Sequence, residues 1–302
     1  MKKRENFSDC LLKEIERLKN PSCIGLDPKI EEIPSCIKKG NPPEKAILEF
    51  TKKVIDATYD IVPAFKLQMA HFERFKSKGI AVLEKIISYL KEKKKIIILD
   101  GKRNDIGATS QIYALTYLSK NGFDVQAITI NPYLGTDGVM PFVEIAKKEK
   151  KGIFVLVKTS NPSSVEIQEK KLQDGKKVSE LIASLVCRWG KETEGKRGYN
   201  LVGAVVSATF PKSARNLRKL MPKSIFLVPG YGAQGGKAKD VVANFKKGLE
   251  GAIVNSSRGI IFAFKRAPFN KKFGEKRFDE AVRESALVMK RDLLSALKIK
   301  EN

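Results

Sequence analysis

The chain has one histidine, His71, and only four cysteines among 302 residues, and both scarcities narrow what it can do. Cys10, Cys23, Cys36 and Cys187 lie far apart with no C-x-x-C pair, so a zinc site built from cysteine and histidine is not expected. Any Ser-His-Asp or Cys-His mechanism would have to run through His71. That residue follows an apolar segment without a neighbouring motif and reads as a polar group at a strand end. No run of 18 apolar residues occurs, and the start "MKKRENFSDCLLKEIERLKN" turns charged and helical before a signal-peptide core could form. The expectation is a soluble cytoplasmic protein.

Acidic residues are the minority, 34 against 58 basic, for a net charge of +24. Such a balance raises nucleic acid, an anionic surface or an acidic small substrate as partners. The lysines are spread along the chain in clusters such as "KEKKK", "KKEKK" and "NKKFGEKR", without interleaved aromatics or a nucleic-acid module. They read as a solvated surface whose functional consequence would be faster, salt-sensitive capture of an anionic metabolite.

What the chain has in abundance is a repeated unit. Short β-branched runs at 23–27, 64–68, 95–100, 125–130, 152–158, 202–208, 224–230 and 251–257 alternate with helical patterns. The helices are expected near 43–62, 72–93, 108–122, 139–150, 176–192, 212–221, 237–248 and 279–297. Eight strands each followed by a helix, with no linker-like composition, predict an α/β chain folded as one (β/α)8 barrel over 1–302, with an N-terminal helical extension. Length beyond an ordinary barrel falls between strands 5 and 6, and the stretch 161–200 has no evident purpose beyond connection. Barrel chemistry belongs at the C-terminal strand ends. There the chain places Asp27, Lys66, Asp100 with Lys102 just beyond, then Lys158, Thr159 and Ser160, "PGYGAQGG" and "NSSRG".

Gly230, Gly232 and Gly235 match G-x-G-x-x-G, but a dinucleotide site would need an acidic residue ending the next strand, and Asn255 and Ser256 stand there. The same glycine loop, together with "SSRG", suits a phosphate held by backbone N–H groups around Gly235 and Gly259 and by the forked cation of Arg258. Asp100 and Lys102, two apart on an extended segment, share a face. Lys66 on the adjacent strand extends them to an alternating Lys-Asp-Lys-Asp row where Asp105, in the loop beyond, returns to the same cluster; the alternative is that Asp105 reaches another chain. Two readings remain open from the residues alone: a rim ion-pair network, or a paired lysine kept protonated as an acid.

"LDGKRNDIGAT" is the D-x-K-x-x-D-I-x-x-T signature, and with it the chain resembles the orotidine 5′-phosphate decarboxylase family. "CIGLDP", "FKLQMAHFE", "VKTSNPSS", "VPGYGAQGG" and "VNSSRGI" are similar to that family's strands 1, 2, 5, 7 and 8, in family order from residue 23 to 260. "VKTSNP" and the length resemble its longer bacterial and protozoan branch. The resemblance implies conversion of orotidine 5′-monophosphate to uridine 5′-monophosphate and carbon dioxide, the last step of pyrimidine nucleotide synthesis, without metal or organic cofactor. It implies that Asp27 and Lys66 hold the ribose, Asp100 lies against the substrate carboxylate, and Lys102 donates the replacing proton. Asp105 and Thr109 would come from the partner of a homodimer, Ser160 would meet the pyrimidine edge, and Gln234 and Arg258 would grip the phosphate. Tyr231 departs from the aliphatic residue common there, and Asn131 is a further candidate for the pocket wall. Neither nucleic acid nor membrane is implied as a partner. Sugar-phosphate enzymes on the same barrel use magnesium and an enediolate, and they characteristically carry glutamate where Asp100 stands.

Overall fold

The computed structural model describes residues 5–232 and 235–299. Eight parallel strands close into a barrel in chain order: β1 (Ser22–Leu26), β2 (Ala64–Gln68), β3 (Ile96–Arg103), β4 (Ala127–Ile130), β5 (Gly152–Lys158), β6 (Val202–Val206), β7 (Phe226–Val228) and β8 (Ala252–Ser256). The expected barrel is therefore observed. β1, β4, β6 and β8 are buried on both faces by helices outside and side chains inside, which is why these runs read as continuously apolar rather than alternating.

One parity organises the interior. Cys23, Ala64, Ile96, Ile98, Ala127, Phe154, Val205, Ile225, Leu227 and Ile253 point inward and pack together. Two residues further along the same stripes, or four on β1, the inward positions become Asp27, Lys66, Asp100, Thr129 and Asn255. The outward set of each strand packs against the helices in the larger core. Gly25 belongs to the inward stripe because β1 and β8 approach closely there: a Cβ on it would lie 1.8 Å from Ser257 Oγ.

The N-terminal helix Phe7–Leu18 closes the opposite end of the barrel. The Asn6 side chain caps it by accepting from the Ser8 N–H at 2.9 Å, and its apolar stripe (Phe7, Leu11, Leu12 and Ile15) enters the inner core. Phe7 meets Phe154 edge-on at 5.8 Å between centroids, and Asp9 accepts the N–H groups of Lys196 and Arg197, each at 2.9 Å.

Several boundaries depart from expectation for identifiable reasons. β3 continues past Asp100 through Lys102 to Arg103, because its pairing with β4 shifts register after Leu99 and resumes at Arg103 opposite Ile130. β7 is cut to Phe226–Val228, since Pro229 has no N–H to continue a ladder. The helix expected over 72–93 breaks into Ala70–Glu73 and Lys76–Glu92, with Lys76 at a left-handed φ of 53°. The helix expected over 237–248 shrinks to the turns Ala238–Val241 and Val242–Asn244, because Phe245 turns extended to reach the core. His71 lies in the short helix after β2, where its Nδ1 is 3.1 Å from the Pro28 carbonyl. No helix among the described residues is long and apolar enough to cross a membrane.

Leu11 is fully buried in the barrel floor. Leu11→Ala should lower unfolding free energy by about 2–5 kcal/mol, read as a reduced urea midpoint with an unchanged slope. A loss below about 1 kcal/mol would show that the helix does not anchor the floor.

Candidate active site

At the C-terminal mouth the strands surround a cavity of about 830 Å³. On its floor sits Asp100, only 8% exposed, and four donors converge on its carboxylate. Lys66 Nζ donates to Oδ2 at 2.8 Å and Gln68 Nε2 to the same oxygen at 3.1 Å. Lys102 Nζ donates to Oδ1 at 2.7 Å and Thr129 Oγ1 to the same oxygen at 2.8 Å. Two cations on neighbouring strands therefore flank one buried anion, with neutral donors filling its remaining lone pairs. Burial would push the Asp100 carboxyl up, but the Lys66 and Lys102 ammonium charges outweigh it and hold the group well below the usual carboxylate range. Burial acts against the Lys66 ammonium in turn, and the charges of Asp100 and Asp27 overcome it, raising Lys66 above the ordinary lysine range.

Lys102 takes its position from the backbone. Its φ is 45°, a left-handed conformation rare for a non-glycine residue, at the register shift in β3. Thr129 Oγ1 accepts the Lys102 N–H at 3.0 Å while donating to Asp100, so one hydroxyl fixes both the strained residue and the carboxylate. Lys102 remains the open end of the row, its side chain 44% exposed against 6% for Lys66.

Asp27 stands at the end of β1, with Oδ1 3.9 Å from Lys66 Nζ. That oxygen is buried without a hydrogen-bond donor, as is Oδ1 of Asn255 on the adjacent β8, and both residues line the cavity. Two unmet acceptors in one cavity wall suit ligand hydroxyl groups. Ser160 and Asn131 also line the cavity, as does Arg258, whose guanidinium is exposed and pairs with no carboxylate among the described residues. Tyr231 lines the same wall, and its hydroxyl donates to Asp292 Oδ2 on the C-terminal helix at 2.9 Å.

Other expected residues fall outside the wall. Gly235 and Gly259 lie beside it; the Gly235 N–H donates to Gly232 O at 2.8 Å within its own turn. Gln234 lies outside the described residues. Asp105 and Thr109 do not reach this chain's cavity: the Asp105 carboxylate accepts the Ile106 N–H at 2.9 Å, and Thr109 is exposed on the helix Gly107–Leu118. Lys158 corrects the expectation that it joins the mouth. The β5–β6 register shifts between Leu156 and Lys158, so Leu156 and Val157 both face the cavity and Lys158 turns away to full burial.

Gln68 and Thr129 were not singled out from sequence, although a signal existed: Gln68 is two residues past Lys66, and Thr129 two before Asn131, on inward stripes. The connection after β5 is a second omission, since Ser164, Ile167, Gln168, Val178 and Ile182 line the cavity.

Residues 21–267 match the family described as orotidine 5′-phosphate decarboxylase / HUMPS. The orotidine 5′-phosphate decarboxylase of Caldicellulosiruptor bescii is 44% identical over 277 residues, covering 86% of this chain and 90% of the relative. That of Rhodopirellula baltica is 41% identical over 298 residues, covering 95% and 98%. The structure of Leishmania donovani OMP decarboxylase superposes with a TM-score of 0.75 at 28% identity, covering 98% of this chain and all (100%) of that one.

The charge row makes a pH prediction. A depressed Asp100 stabilises the fold above the ordinary carboxylate range and loses that contribution as pH falls through its lowered value; a raised Lys66 contributes below the ordinary lysine range and loses it only as pH rises through its raised value. Both contributions are therefore complete at neutral pH. Asp100→Asn should cost about 3–5 kcal/mol at pH 7, with a gap to wild type that narrows in strong acid. Urea melts across pH would show a constant gap if the pairing were immaterial.

Proposed function

The chain belongs to the orotidine 5′-phosphate decarboxylase / HUMPS family, and we propose that it decarboxylates orotidine 5′-monophosphate to uridine 5′-monophosphate and carbon dioxide in pyrimidine biosynthesis. The observation that carries this reading is the Lys66-Asp100-Lys102 row, a buried carboxylate with an accessible ammonium 2.7 Å away at the floor of the cavity. The magnesium-dependent branch would carry glutamate where Asp100 stands, which disfavours it here.

In the proposed reaction the bond between the ring's sixth carbon and the carboxylate breaks. Carbon dioxide leaves, and the electron pair stays on the carbon in the ring plane, where the ring delocalises it poorly. A preorganised ammonium answers that localised charge, and Lys102 supplies both the field and then the proton that completes uridine 5′-monophosphate. Lys102 regains its proton from solvent. The charge of Asp100 beside the substrate carboxylate disfavours the ground state. Asp27 and Lys66 take the ribose hydroxyls, for which the unpartnered Asp27 oxygen is suited. Ser160 takes the pyrimidine edge, and Arg258, with Gln234 and the loops at Gly235 and Gly259, takes the phosphate. No metal or organic cofactor enters this scheme.

Asp105 and Thr109 we assign to the active site of a second copy in a homodimer. Support comes from their absence from the lining of their own cavity and from the exposed apolar residues around them, Ile106, Ile112, Leu115 and Leu134. The whole chain then acts as one barrel domain with its N-terminal helix as the floor.

Purified protein should turn over orotidine 5′-monophosphate in the presence of a chelator, followed by loss of its ultraviolet absorbance; no turnover removes the reading. Lys102→Ala should lower kcat by about 10³-fold or more with folding intact, and substantial residual turnover would remove Lys102 as proton donor. Arg258→Ala should raise KM roughly 10- to 100-fold with a smaller change in kcat. Inactive Asp105→Asn and Lys102→Ala chains, mixed and reassembled, should recover activity; a mixture as inactive as its parents would rule out a site shared between subunits.

A further inference from the structure

Lys158, at the end of β5, is fully buried, 0% exposed, and the reaction does not use it. Its ammonium donates to Ser164 Oγ at 2.9 Å, pairs with Glu169 Oε1 at 3.2 Å and lies 3.8 Å over the Phe210 ring. Glu169 is itself a junction. Lys177 Nζ donates to its Oε2 at 2.5 Å, and Ser213 Oγ, on the helix Pro211–Leu220, to its Oε1 at 3.2 Å. One carboxylate thus ties the end of β5, the connection after it, the start of the helix Val178–Gly190 and the helix after β6. Burial would raise the Glu169 carboxyl, but the hydrogen bonds and charges of Lys177 and Lys158 hold it low, so the junction stays charged at neutral pH.

The residue next to this junction reaches the cavity. Gln168 clamps Thr159 twice: its Oε1 accepts the Thr159 N–H at 2.9 Å, and its Nε2 donates to Thr159 Oγ1 at 2.8 Å. Thr159 Oγ1 in turn donates to Asn161 Oδ1 at 2.7 Å. Ser160 sits between two restrained neighbours, facing the cavity, while Ile167, Val178 and Ile182 form the apolar wall beside it. A buried ion pair is weak evidence for stability, because an apolar pair of similar volume commonly serves as well. What this pair does is join β5, the connection after it and two helices at one point.

We propose that Lys158 and Glu169, acting through Gln168 and Thr159, are positioning residues that hold the chain around Ser160 in the register the base end of the pocket requires. This rests on the orotidine 5′-monophosphate reading, which places the base against Ser160. The phosphate and ribose ends, built from β1, β2, β7 and β8, are independent of this anchor.

The test compares the product with its sugar-phosphate fragment as inhibitors or calorimetric ligands: uridine 5′-monophosphate, which carries a base, and ribose 5-phosphate, which does not. Lys158→Met should weaken uridine 5′-monophosphate about tenfold or more, roughly one lost oriented contact, while ribose 5-phosphate affinity changes less than about twofold. KM for orotidine 5′-monophosphate should rise more than kcat falls. Glu169→Gln, which removes the anchor's charge at a partly exposed position outside the cavity wall and keeps an oxygen to accept from Lys158, should show the same selective loss and decides the question even where Lys158→Met does not fold. Equal weakening of both ligands, or none, in Glu169→Gln overturns the proposal. Wild-type protein that fails to turn over orotidine 5′-monophosphate would instead overturn the reading beneath it, so the two failures are distinguishable.

Discussion

The Asp100 carboxylate, held between the ammonium groups of Lys66 and Lys102, is the interaction on which the mouth of this barrel depends. An 8%-exposed carboxylate is tolerable only when paired and fully hydrogen-bonded. Here two cations and two neutral donors do that from β2, β3 and β4, so the strands that carry the charges cannot slide without leaving one unmatched. The same arrangement keeps an acceptor charged at neutral pH beside a cation that solvent, or a substrate, can still reach. Structural and chemical demands meet in one carboxylate.

Register shifts do the aiming. Between β3 and β4 the shift after Leu99 coincides with the left-handed Lys102 and delivers its N–H to Thr129. Between β5 and β6 the shift after Leu156 turns Lys158 out of the cavity and into a buried junction with Glu169. A regular barrel with unbroken parity would present both lysines to the mouth. Two local breaks assign one to the pocket and the other to the frame around it.

Strand order, barrel class and most of the charged floor were legible in the chain because they follow from local rules. Apolar runs of strand length, separated by helical periods, predict the barrel, and polar residues that end those runs predict the mouth. Asp27, Lys66, Asp100 and Lys102 were found by that rule. Gln68 and Thr129 were missed because a neutral residue on an inward stripe looks like any other polar strand residue until its partner is known. The helix after β7 was overestimated because Phe245 gains more by reaching the core than the backbone gains from another helical turn.

Composition and spacing in the chain settled the alternation of strand and helix, and the pairing of Asp100 with Lys102 two residues on, since both are consequences of period and of covalent neighbours. Which lysines share a site was settled by long-range packing. Lys66 is 34 positions from Asp100 in sequence and 2.8 Å from it in space, whereas Lys158, at a strand end like the others, is carried away by a shift in pairing. Periodicity can say which way a side chain points in a regular strand. Only the neighbouring strand says where the regularity stops.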